Sequence, residues 1–162
     1  MTTKAFAALP FLFVLGCSES LGSPPAPGAR VEVHRFGTQE NSFTPFSAIR
    51  RPERLIIRDA SAWAAAWKDI APNASQPAPS VDFSRQMVVL AALGQQPDAG
   101  YQIRVDSAAM GTHGLTIWIA TITAGAGCAS AAVITQPVDI ASLPRIDADA
   151  HFVDVPTVLT CP

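Results

Sequence analysis

Three cysteines, three histidines and a short acidic run are the side chains whose types could do chemistry. A cysteine can accept a lipid, attack a carbonyl, hold a metal or pair with a second sulfur. Cys128 lies between Gly125-Ala126-Gly127 and Ala129-Ser130. Nothing there supplies a cation or base to lower a thiol pKa, so a catalytic thiol is not expected. His34, His113 and His151 fall on unrelated stretches, and none has a His or Cys partner at ligand spacing. They read as surface or strand-end residues. Asp147 and Asp149 in RIDADAH have the look of part of a cation loop, but the glycine and closing glutamate of an EF-hand are missing. No nucleophile elbow, phosphate-cradling loop or dinucleotide fingerprint occurs. The expectation is a protein that is not an enzyme and takes no cofactor or metal.

Cys17 reads differently. Lys4 precedes an apolar run from Ala5 to Leu15, and Ser18-Glu19-Ser20 follows the cysteine. That is the layout of a secretory signal peptide. The run spans roughly 16 Å as a helix, about half a bilayer core. Val14-Leu15-Gly16-Cys17 resembles the lipobox of bacterial lipoproteins. The resemblance implies cleavage after residue 16 and a Cys17 carrying acyl chains that bind the protein to a membrane. Ser18 after the cysteine resembles lipoproteins sorted to the outer membrane. Residues 17–29 are rich in Ser, Pro and Gly, the composition of a tether. A single domain is expected over residues 30–162. With Cys17 lipidated, Cys128 and Cys161 remain as an even pair in an exported chain, where a disulfide is favoured.

The elements that position these residues follow from pattern and composition. The chain has 162 residues, 49% of them hydrophobic and 15% charged, with a formal net charge of −2. Mean hydropathy is +0.25. Such a chain is too apolar to be disordered and too poor in Lys and Arg for nucleic-acid binding. Val31 to Phe36 begins strand-like, and Leu55-Ile56-Ile57 reads as a short buried strand. The arginines between Arg30 and Arg58 alternate with acids and suit a solvated face. DASAWAAAWKDIAP predicts a helix capped by Asp59 or Ser61 and stopped by Pro72. Its Trp63, Trp67 and Ile70 share a face that should pack on a sheet. Met87 to Leu93 predicts a central strand buried on both sides, and Tyr101 to Asp106 alternates as a half-exposed one. Leu115 to Ile134 is β-branched and Thr-rich, which predicts two strands and a turn rather than a membrane helix. Ala131 to Ile140, broken by Pro137, and His151 to Thr160 supply the last strands. The expected fold is mainly β (α+β): an antiparallel two-layer, sandwich-like domain with one short packed helix.

The stretch VDFSRQMVVLAALGQQPDAGYQIRV resembles the PrcB C-terminal domain family, which takes its name from an accessory subunit of a surface protease complex. Val81-Asp82-Phe83, Gly94, Pro97 and Gly100-Tyr101 carry the likeness. Gly125-Ala126-Gly127-Cys128, Thr135-Gln136-Pro137-Val138-Asp139, Ile57-Arg58-Asp59 and the Trp63/Trp67 pair extend it over most of Leu55 to Pro144. Ala99 stands where the family has Gly, and a left-handed backbone there would be strained. The resemblance implies an exported or lipid-anchored domain that binds or stabilises a protease partner. Turns on a rigid sheet carry recognition, which makes Gly94, Gln96, Pro97, Asp98, Gly100 and Tyr101 the candidate contact loop. A plain hairpin turn with Tyr101 packed inward is the bland alternative. Gln96 to Tyr101 also faintly resembles the Pro- and Gly-containing loop of chagasin-type protease inhibitors. A purely structural envelope protein is the third reading.

Overall fold

The structure is a computed structural model that describes residues 28–36, 44–75 and 77–161. Residues 1–16, Cys17 and most of the expected tether lie outside the described residues.

In chain order come β1 (Arg30–Val31), β2 (His34–Arg35), β3 (Pro52–Ile57) and α1 (Ala60–Ile70). They are followed by β4 (Gln86–Leu93), β5 (Tyr101–Gly111), β6 (Gly114–Ala124), β7 (Val138–Pro144) and β8 (Ala150–Leu159). Two four-stranded sheets form, ordered β1-β5-β6-β8 and β2-β7-β4-β3. They face each other as a sandwich with one helix outside.

Met87 through Ala92 are buried because β4 is central in its sheet and covered on both faces. Met87, Val89 and Ala91 point between the sheets, where they meet Ile103, Val105, Leu115, Ile117 and Ile119. Val88, Leu90 and Ala92 point outward against Trp63 and Ile70 of α1. Asp59 caps the helix by accepting from the Ala62 N–H at 2.8 Å. Trp63 donates its indole N–H to the Pro79 carbonyl at 2.8 Å and stacks on Phe36, centroids 5.6 Å apart.

Several expectations need correction. Residues 31–36 are not one strand: β1 pairs with β5 and β2 with β7, so the chain crosses between sheets at Glu32-Val33. β3 is an edge strand rather than a buried one, with Leu55 38% exposed. Between Leu115 and Ile134 only one strand forms, because residues 131–134 lie exposed outside any strand and β7 begins at Val138, after Pro137. β8 runs parallel to β6, a departure from the expected antiparallel pairing. No described helix is long and apolar enough to cross a membrane.

Two polar devices tie the sheets together. The β5 ladder shifts register between Val105 and Ser107, leaving Val105 to find other partners. Its N–H donates to buried Asp139 Oδ2 of β7 at 2.7 Å, and its carbonyl accepts from Arg35 Nη2 of β2 at 2.9 Å. At the rim, Arg54 of β3 reaches Asp154 of β8 through Nε at 3.1 Å and Nη2 at 2.9 Å. Cys128 and Cys161 are disulfide-bonded with Cα atoms 5.1 Å apart, which ties the end of β8 to the loop after β6.

Candidate protein-docking surface

Beyond Leu93 the chain must leave one sheet and start β5 in the other, so segment 94–101 is a crossover and not a hairpin turn. Gly94 turns it with φ +73°, and a Cβ there would meet the Arg51 carbonyl carbon and Pro52 nitrogen at 2.8 Å. Gln96 and Thr135 exchange both backbone hydrogen bonds, at 2.8 and 3.1 Å. Gln96 Nε2 donates back to the Leu93 carbonyl at 3.0 Å. Asp98 Oδ1 accepts from the Gly100 N–H at 2.7 Å, while buried Thr135 donates its hydroxyl to the Asp98 carbonyl at 3.0 Å. Ala99 N–H reaches the Ala131 carbonyl at 3.0 Å. Gly100 is buried against Ala124, whose N–H donates to its carbonyl at 2.8 Å. The loop is strapped along residues 131–136.

The expected contact residues therefore divide. Gly94 and Gly100 are buried for backbone reasons. Gln96 and Asp98 are half-buried and engaged in holding the loop, and Tyr101 is half-buried at the start of β5. Pro97 faces solvent together with Gln95 and Ala99. Ala99 is not strained: no described non-glycine residue has positive φ.

The same pairing brings in residues that sequence reasoning missed. Opposing Gln96 to Thr135 in antiparallel fashion sets Pro97 beside Ile134 and Gln95 beside Gln136, on the opposite side from the Gln96 and Thr135 side chains. A parallel bridge between Phe46 and Gln136 adds Phe46 to that side. Hydrogen bonds from Gln136 N–H to the Pro45 carbonyl at 2.8 Å, and from Ser47 Oγ to the Gln136 carbonyl at 2.9 Å, hold it there. Phe46 is 57% and Ile134 55% exposed, and Val133 beside them is 41% exposed. Pro97, Ile134 and Phe46 thus form an apolar face flanked by two glutamines, with Arg50 next to Gln95. The available signal was Phe46, which with Phe43 interrupts a polar stretch that has no periodicity to bury them.

The chemistry-bearing side chains lie elsewhere. His34 sits 3.4 Å from Glu32, both exposed. Far apart in sequence, His113 and His151 are neighbours in space, with the His151 ring 3.2 Å from the His113 carbonyl oxygen. Asp147 pairs with Arg145 at 3.2 Å and Arg58 at 3.9 Å on the surface. Among the described residues no group of three or more His, Cys, Asp or Glu could hold a metal ion.

Residues 87–144 match the family model described as PrcB C-terminal. No curated protein and no solved structure matches the chain. The matched stretch runs from β4 through β7 and contains the strapped loop, Cys128 and the Thr135–Asp139 segment, while α1 and Val81-Asp82-Phe83 precede it. Over residues 87–144, about a third of its length, the chain is similar to PrcB C-terminal domains.

Proposed function

We propose that this protein is a non-enzymatic docking module, tethered through lipidated Cys17 to the cell envelope, that binds or stabilises a protease partner. The observation that carries the reading is the exposed apolar face of Phe46, Pro97 and Ile134. Large apolar side chains held at more than half exposure by backbone pairing, with glutamines around them, suit the centre and rim of a protein interface. The family's name, from an accessory subunit of a protease complex, supplies the class of partner. The likeness of residues 14–17 to a lipobox supports a membrane tether, and Ser18 after it supports the outer membrane as its place. The inhibitor reading gains less support, because the segment lies flat along residues 131–136 and its aromatic residue begins a strand.

The test is co-purification of the tagged full-length protein from envelope membranes of its native host, with proteases identified by mass spectrometry. Phe46→Ser with Ile134→Ser should reduce recovery of the protease about tenfold or more, as loss of central apolar anchors does. Val153→Ser on the distant β8 should leave recovery unchanged. Undiminished capture by the double variant, or an eluate without any protease, refutes the proposal.

A further inference from the structure

An open groove lies on the outer face of the β1-β5-β6-β8 sheet. No described helix covers it, since α1 packs on the other sheet. The face is not flat. Along β6 the outward positions step from Trp118 to Ala120, and the small Ala120, opposite Arg104 of β5, forms the floor of the groove. Val155 of β8 flanks Ala120 on one side and the Arg104–Asp106 pair of β5, at 2.9 Å, on the other, with Trp118 next along β6. Arg30 and Thr157 stand at its ends.

We propose that this groove binds a saccharide that carries a carboxylate. Three observations favour that occupant. Trp118 offers a ring beside a shallow floor, the arrangement that takes the apolar C–H face of a pyranose. Unlike the Trp63 indole N–H, that of Trp118 meets no acceptor among the described residues, so it is free to donate to a hydroxyl. Arg104 and Asp106 neutralise each other yet present planar donors and acceptors side by side, which suits vicinal hydroxyls. Arg30 forms no ion pair among the described residues and leaves the groove with one net positive charge for an anionic substituent. An extended peptide fits less well. It would seek backbone partners, and the strand backbones beneath the groove already pair within the sheet. An acyl chain would meet a charged wall.

The experiment uses the full-length protein in detergent. Trigalacturonate is titrated against neutral maltotriose, and the Trp118 indole N–H signal is followed by NMR after assignment with Trp118→Phe. Trigalacturonate should shift that signal and bind about tenfold more tightly than maltotriose, the ratio that one well-placed charge-assisted hydrogen bond supports. Arg30→Glu, at an exposed position that leaves the fold intact, should remove the preference for the acid while sparing the weaker binding of maltotriose. Trp118→Ala should abolish both. No shift with either sugar overturns the proposal, as does equal binding of the two by the unaltered protein. A preference for the acid that survives Arg30→Glu, or a shift of the same size with acetate alone, also overturns it.

Discussion

The two outer faces of the sandwich are finished in opposite ways. β4 is apolar at every position from Met87 to Leu93, and its outward residues Val88, Leu90 and Ala92 meet the helix. β5 alternates, sending Ile103 and Val105 inward while Arg104 and Asp106 face solvent. One face is dry because α1 covers it; the other stays wet and keeps a tryptophan and charged groups available. The difference was set before any contact formed, by whether apolar residues came at every position or at every second one. Accessible side chains then fall where the covering stops, on the open face and on the loops that link the sheets.

The largest expected effect separates two tryptophans. Trp63 is 3% exposed between α1 and the sheet. Trp63→Ala should cost about 3–5 kcal/mol by opening a cavity and removing a hydrogen bond. Trp118→Ala, on the open face where the ring is only half-buried, should cost clearly less than Trp63→Ala. Urea unfolding of both variants checks the contrast. Equal losses would mean that the open face is covered after all.

The next effect concerns how the open sheet keeps its last strand. β8 pairs on one side only and is exposed along most of its length, so the disulfide is a main restraint at its far end. The bridge closes a separation of 33 residues, which in the chain-entropy model stabilises by about 3–4 kcal/mol. Cys128→Ser with Cys161→Ser should lower the unfolding midpoint. Amide exchange should speed up in β8 much more than in β4, and uniform acceleration would show that β8 unfolds only with the whole domain.

Between the sheets, Asp139→Ala removes the acceptor for the Val105 N–H in a dry interior, a loss of about 1–3 kcal/mol. Because Asp139 joins one sheet to the other, β5 near Val105 should lose exchange protection first. A variant as stable as the parent would refute the clamp.

The fold class was readable because its signals are local and repeated. The β4 run, the β5 alternation and the α1 stripe each state a period that burial then satisfies. What escaped is what depends on partners distant in sequence. Nothing near Leu55 shows that β3 is an edge, and nothing near Ala150 reveals that β8 lies parallel to β6. The site was half legible for the same reason. Gly94, Pro97 and Gly100 mark a special backbone, and they are found at one. That Gln96 and Asp98 also hold the loop, through Leu93, Thr135 and Gly100, could not be read from a polar turn alone. Phe46 and Ile134 become a surface only once two isolated bridges align segments some ninety positions apart.

The smallest effect bears on how firmly the helix is held over its face. Hydrogen bonds from the Ser61 hydroxyl and then the Ala62 N–H hold the Asp59 carboxyl below its ordinary range. Asp82, before β4, is lowered chiefly by the Ser84 hydroxyl and then by the Ser84 N–H. A depressed carboxylate stabilises the fold above its unfolded-state value, and that contribution disappears as pH falls through the folded-state value. Stability should therefore be flat near neutrality and begin to decline as pH drops into the ordinary aspartate range. Asp59→Asn separates the cap from its charge, because asparagine caps about as well but does not titrate. Unfolding midpoints of this variant should match the parent at pH 7 and fall less steeply in acid. An acid slope identical to the parent's would show that the cover over the β4 sheet does not depend on ionised Asp59.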